Sequence, residues 1–301
     1  MILNIQPSSS FVTETPGAFA HLDFATYAAA PGINKSGLSV MRDCPRKFIL
    51  EQRGQLDKTT TAAMNYGKLM HEAILFGHAD VHIVPETYGP DNKPWNGNAK
   101  ECREWKLTHT DKPVMKESEV QQLHFEADCV LENKDAAALL TTGHSELAIF
   151  ARAEGTGHIL KGLIDHYGED VSGPYFLDIK TTLDASTRAF SAEIYKRRYH
   201  VQFALYRRIL AALGVLDVRV FVIALEKGEL PRCNVRQIAS EALDIGDADL
   251  DSDLALYRQF KRADWWPDFA DDEYDRNCIP SINLPDYVLS RSDNLSGMTM
   301  A

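Results

Sequence analysis

Apolar and polar residues recur along this chain with two periods, and the period changes at identifiable punctuation. Residues 218–225, Val-Arg-Val-Phe-Val-Ile-Ala-Leu, are β-branched and apolar with little interruption, which predicts a buried strand, and residues 233–238 are expected to pair beside it. Residues 159–167 and 175–181 are two further β-like runs, and the polar, glycine-containing stretch 168–174 between them predicts a hairpin. The sheet is expected to begin at residues 146–150. Helical spacing governs Thr61 to Gly77, where Met64, Leu69, Ile74 and Leu75 are the apolar positions and Gly77 the stop. An early helix carries Leu38, Met41, Phe48 and Leu50, with Ser36 as its expected N-cap and an interruption at Cys44-Pro45. Residues 81–84 predict a short strand, 86–98 a loop rich in Pro, Gly, Asn and Asp, and 99–107 a helix. Residues 117–140 predict one long or broken helix with Val120, Leu123, Phe125, Val130 and Leu131 in the core. One or two helices follow over 186–214, and an amphipathic helix over 242–262 that is acidic at its start.

Helices, then strands, then helices, strand and helix define an α/β chain (α+β by some schemes) with a central mixed sheet flanked by helices. Residues 1–21 carry Ser, Thr and Pro without periodicity and are expected to be a flexible N-terminal arm; 22–285 are expected to form a single domain and 286–301 a mobile tail. With 45% apolar residues among 301, the chain can bury a sizeable core. It contains no run of about 18 apolar residues, so no membrane span is expected, and no basic-then-apolar leader predicts secretion. Its five cysteines are scattered, odd in number and form no C-x-x-C pair, which suits reduced thiols in a cytoplasm and gives no zinc signature.

The net charge of −11 argues against nucleic acid as a partner until its distribution is considered. Residues 179–210 carry seven Lys/Arg against two Asp/Glu, while 241–276 carry four against twelve. The basic block is either a face that holds phosphates or a solvated helix surface.

The candidate chemistry lies on the hairpin and on the basic block after it. Asp165 closes one β-like run, and Asp178 stands thirteen residues later in the other. Asp178 and Lys180 are two apart on a strand, so they share a face. Two carboxylates and one ammonium suit a hard cation such as magnesium, with a lysine beside it to hold or activate water. Gln202 and Tyr206 are four apart in a helical run and share its face. Glu146 is either a further carboxylate of this group or a strand-edge residue without a chemical role.

Gly162-x-x-Asp165, Asp178-x-Lys180 and Gln202-x-x-x-Tyr206, in that order, resemble the RecB-like branch of the PD-(D/E)XK nucleases. Tyr27, the stretch Ala30 to Leu38, Gly67 to His71, Asn96 to Trp105 and Trp266-Pro267 look like the RecE-type (exonuclease VIII) nuclease domain. The resemblance runs from about residue 22 to 270. It implies Mg²⁺ or Mn²⁺ held by His71, Asp165, Asp178 and the Ile179 carbonyl, with Lys180, Gln202 and Tyr206 completing the catalytic set. It implies a processive 5′→3′ exonuclease on double-stranded DNA ends, a ring-like homo-oligomer, and a phage or prophage setting in a bacterial host with a single-strand annealing protein as partner. Arg42, Arg46 and Lys47 on the early helix, and Arg197 and Arg198 near Gln202, are candidates to hold a terminal phosphate. Cys44-Pro45-Arg46-Lys47-Phe48 is similar to a segment of iron–sulfur members of this branch. Those need three more cysteines near the C-terminus, where Cys233 and Cys278 stand far apart, so no cluster is expected and Cys44 is read as a small buried hydrophobe. A non-catalytic DNA-end-binding module and a purely structural ion-pair cluster remain the competing readings.

Overall fold

A computed structural model describes residues 3–57, 60–153 and 157–268. In chain order the elements are β1 (Ile5–Pro7), β2 (Gly17–Ala20), α1 (Phe24–Ala29), α2 (Lys35–Asp43), α3 (Pro45–Gln52), α4 (Ala62–Phe76), β3 (His82–Ile83), β4 (Thr87–Tyr88), β5 (Lys93–Pro94), α5 (Lys100–Thr108), β6 (Val114–Met115), α6 (Glu117–Leu131) and α7 (Lys134–Leu140). Then come β7 (His144–Arg152), β8 (Ile159–Asp170), β9 (Gly173–Thr182), α8 (Thr187–Lys196), α9 (Tyr199–Ala212), β10 (Arg219–Glu226), β11 (Arg232–Gln237) and α10 (Ser240–Ala263). Among the described residues, seven strands form the main sheet in the order β1-β2-β7-β8-β9-β10-β11. It is mixed: β1 with β2 and β9 with β10 are parallel, and the other neighbours are antiparallel. The parallel step from β9 to β10 requires a crossover, and α8 and α9 supply it.

Alternation along the strands sorts side chains onto two faces. Phe176, Val220, Val222 and Ala224 pack with α9 residues such as Phe203 and Tyr206, while Leu177, Ile179, Ile223 and Leu225 pack with Leu69, Met70 and Ala73 of α4 and Leu123 and Val130 of α6. Asp178 and Lys180 therefore lie on the α9 side of β9. Thr61 caps α4 by accepting the Met64 N–H, and Gly77, in the left-handed region, ends it.

Several expectations change. The arm expected over residues 1–21 contributes β1 and β2, with Phe19 fully buried against Phe150, because β7 offers an antiparallel edge that those few residues complete. Asn34, not Ser36, caps α2, accepting the Gly37 N–H at 2.9 Å. Cys44 is half-buried and caps α3 through its sulfur, which accepts the Lys47 N–H at 3.4 Å. Phe125 and Leu131 face solvent, since the helix breaks after Leu131 and its stripe follows Leu123, Ala127 and Val130. The hairpin turn is shorter than expected: pairing continues to Asp170–Gly173 and leaves two residues in the loop. The tail beyond residue 285 and Cys278 lie outside the described residues. Among the described residues, no helix is long and apolar enough to cross a membrane.

Candidate active site

Strands β8 and β9 are paired from Asp170–Gly173 to His166–Leu177, and there the ladder stops. Asp165 and Asp178 are the next residues on either side. Beyond them the backbone groups turn to side chains: Asp165 Oδ2 accepts the Ile179 N–H at 2.7 Å, and the Tyr206 hydroxyl donates to Leu163 O at 2.7 Å. The neighbouring β7–β8 ladder also skips one step, pairing Ser145–His166 and Leu147–Ile164 but not Glu146 with Asp165. Glu146 has φ +49°, a left-handed conformation unusual for a non-glycine residue within a strand. Ile164 and Tyr167, three apart, both pack on the α9 side, so β8 changes facing between them.

Groups from both layers meet in the opening. From α4, His71 Nε2 donates to Ile179 O at 2.9 Å, while its Nδ1 lies 3.4 Å from Asp165 Oδ1. From α9, Gln202 Nε2 donates to Asp178 Oδ1 at 2.7 Å and lies 3.1 Å from the Tyr206 oxygen. Lys180 forms an ion pair with Asp178 Oδ2, an oxygen that is buried and, among the described residues, lies outside hydrogen-bond geometry with any donor. Tyr206 has room for its ring because residue 162 is glycine: a Cβ there would sit 2.6 Å from two ring carbons. The Gly162-x-x-Asp165 spacing thus joins a carboxylate to the gap that admits the tyrosine supporting Gln202.

The electrostatics follow from burial and these contacts. Burial pushes Asp178 up to about 6 despite the Lys180 charge beside it. Burial also works to raise Asp165, but the charge and hydrogen bond of His71, with Lys180 and the Ile179 amide, outweigh it and hold the carboxyl low. Burial would lower His71 and Lys180; the carboxylates outweigh it, so both are held above their ordinary values. Glu146 is half-buried beside the group, and burial followed by the Asp165 charge raises its carboxyl. As the chain is arranged, no three His, Cys, Asp or Glu side chains among the described residues converge in metal-binding geometry.

The structure thus brings together His71, Asp165, Asp178, Ile179, Lys180, Gln202 and Tyr206. It assigns other partners to the basic residues. Arg42 and Arg198 both pair with Asp253 of α10, at 3.1 and 2.9 Å, and that carboxylate is fully buried. Arg207 and Arg208 pair with Asp247, and Arg208 also with Asp251. Of the seven basic residues over 179–210, Arg198, Arg207 and Arg208 are thus paired with the acidic block of α10, which favours the reading of that part as a charge-compensated surface over an open phosphate-holding face. Arg46 and Arg197 make exposed pairs with Asp268 and Glu193, which constrain them little.

Two residues escaped the sequence reading. The Tyr199 ring lies 4.8 Å below the Lys180 ammonium, and Lys35 Nζ lies 5.6 Å from the same ring centre. Tyr199 stands three residues before Gln202, so the helical face shared by 199, 202 and 206 held a signal for it. Nothing in the spacing of Lys35 connects it to the hairpin.

A seven-stranded mixed sheet, opened beside paired acids and a lysine and flanked by helices, defines a PD-(D/E)XK nuclease-like core. The chain belongs to the family described as PDDEXK-like domain of unknown function (DUF3799), whose model matches residues 35–274. It is also similar in fold to a solved structure from Eubacterium rectale named "Putative exonuclease", with 13% identity, a TM-score of 0.58 and coverage of 89% of this chain and 96% of that one. No curated protein matches the sequence.

Proposed function

We propose that this chain is a metal-dependent DNA nuclease whose reaction is phosphodiester hydrolysis at the opening between β8 and β9. The observation that carries the reading is the convergence there of Asp165, Asp178 and Lys180 with His71 and Gln202. Two carboxylates, an imidazole and the Ile179 carbonyl are donors that suit Mg²⁺ or Mn²⁺. Asp178 Oδ2, buried and facing the Lys180 ammonium without a formed hydrogen bond, fits the same role. The would-be ligands now satisfy one another, so taking up a cation means exchanging the His71–Ile179 and Lys180–Asp178 contacts for bonds to metal. A divalent cation there supplies Lewis-acid chemistry toward water and phosphate.

The chain's own groups have separable roles in this reading. Lys180, its proton held by two carboxylates, orients the attacking water and offsets negative charge developing on the phosphate. Water adds to phosphorus, the bond to the sugar oxygen breaks, and that oxygen leaves with a proton. Gln202 holds Asp178 in place, and Tyr206 holds Gln202 against the sheet.

The finer reading is a RecE-type 5′→3′ exonuclease that leaves 3′ single-stranded overhangs for phage-type recombination. It includes a ring-like homo-oligomer and an annealing protein as partner. What supports it is the motif resemblance in α2, α4 and the segment from Asn96 to Trp105. Arg46 and Arg197, both exposed, and Lys47, in a loose pair with Glu51, are the remaining candidates for a 5′-phosphate contact. The test is degradation of end-labelled linear duplex against closed circular DNA, with Mg²⁺ or with EDTA. The expected result is Mg²⁺-dependent loss of linear duplex from its 5′ ends and an intact circle. Cleavage of the circle would make it an endonuclease; release from the 3′ end first would reverse the polarity.

A further inference from the structure

The cations around the opening are compensated in different ways. Lys180 has Asp178, Arg198 has Asp249 and Asp253, and Arg42 has Asp253. Lys35, the first residue of α2, is half-buried and reaches the site from another side. Its Nζ donates to Arg197 O at 2.7 Å, and among the described residues no ion pair to a carboxylate is formed by it. Burial, then the charges of Lys180 and Arg198, lower its ammonium to about 8 against the opposing pull of the Asp178 carboxylate, which leaves it mostly protonated at neutral pH. A cation set among cations and partly out of water is costly unless an anion joins it. An ammonium has three N–H donors, and Arg197 O takes one.

The position of the anion follows from Tyr199. Its ring is shared by the ammonium groups of Lys180 and Lys35, at 4.8 and 5.6 Å from the centre. Lys180 belongs to the reacting phosphate in the nuclease reading, on which this inference rests. With both ammonium groups held against one ring, they lie close enough together to meet neighbouring phosphates of one strand.

We propose that Lys35 holds a phosphodiester of the substrate strand adjacent to the one being cleaved, with Tyr199 as the spacer that sets its distance from Lys180. Lys35 is then a binding residue for strand register. It differs from Arg42 and Arg198, whose donors are committed to a buried carboxylate.

The test uses a series of duplexes, each with one neutral methylphosphonate at a successive position of the cleaved strand. Binding is measured by fluorescence anisotropy without Mg²⁺ across a salt range, and strand release is measured with Mg²⁺. Wild type, Lys35→Met and Lys35→Arg are compared after their thermal midpoints show that they are folded. Lys35→Met should bind unmodified duplex about tenfold more weakly, the scale of one charge-assisted contact. Its log–log salt slope should be smaller by about one. One methylphosphonate position should weaken wild type about tenfold and leave Lys35→Met unaffected, and Lys35→Arg should restore most of the binding. Equal binding by Lys35→Met and wild type, or the same methylphosphonate penalty in both at every position, would overturn the proposal. If wild type cleaves nothing yet the coupling is present, the nuclease reading fails while the phosphate contact stands. Cleavage without the coupling would leave the nuclease reading standing and remove the phosphate contact.

Discussion

The turn half and the site half of the β8–β9 hairpin are made from the same two strands, yet they are held together differently. From Asp170–Gly173 to His166–Leu177 the halves meet by backbone pairing. At the turn, Arg219 of β10 ties Asp170 to the Gly173 carbonyl, donating to the latter at 2.9 Å, and lies over the Tyr175 and Phe221 rings. From Asp165 and Asp178 onward the strands part, and side chains from α4 and α9 take over the backbone groups. Buried backbone groups must find partners. Here the groups that supply them are also those suited to metal and phosphate, so satisfying the opened backbone and assembling the site are one structural event. The turn half does only the first of these jobs.

Substitutions can separate the two halves. The largest effect is expected from Asp178→Asn, which keeps an acceptor for Gln202 and removes the charge. Mg²⁺-dependent cleavage should fall to background while circular dichroism shows a folded chain. Retained cleavage would remove Asp178 from the metal set. Lys180→Met should lower turnover by about 10²-fold, the scale of losing one electrostatic donor, with little change in duplex binding. A parallel fall in binding and turnover would make Lys180 a phosphate anchor. Gly162→Ala should cost about 2 kcal/mol in urea denaturation, because the new methyl overlaps the Tyr206 ring. Its activity should also drop, since Tyr206 supports Gln202; full activity would show that Gln202 needs no such support. The smallest effect is expected from Arg219→Met at the turn, about 1 kcal/mol of stability with unchanged turnover. Loss of turnover there would mean that the two halves are coupled.

Much of the site half was legible because it depends on local periods. Two residues apart on a strand put Asp178 and Lys180 on one face, and four apart on a helix did the same for Gln202 and Tyr206. Thr61 and Gly77 marked the helix that carries His71. What stayed hidden depends on distant partners. Strands β1 and β2 are too short to show a period, and β2 gains its place from β7, well over a hundred residues later. Asp165 itself was read from the hairpin, but the change of facing in β8 beside Glu146 that delivers it is not anticipated by strict alternation. The charges of α9 read equally as a binding face or a solvated surface until α10 supplied its acids. Lys35 became part of the site only when α2 was laid beside the start of α9.

The two-residue loop at Val171–Ser172 also bears on the order in which the chain folds. A hairpin with so short a loop closes at little entropic cost and can zip from the turn within microseconds. Zipping here runs out at His166–Leu177, and further progress waits for α9 to arrive from later in the chain and α4 from much earlier. The turn half should therefore be structured in the folding transition state, with φ-values well above those of the opening. Substitutions at Phe176 and Tyr175 would slow folding, whereas Tyr206→Phe would chiefly speed unfolding. Similar φ-values in both halves would show that the strands and α9 condense together.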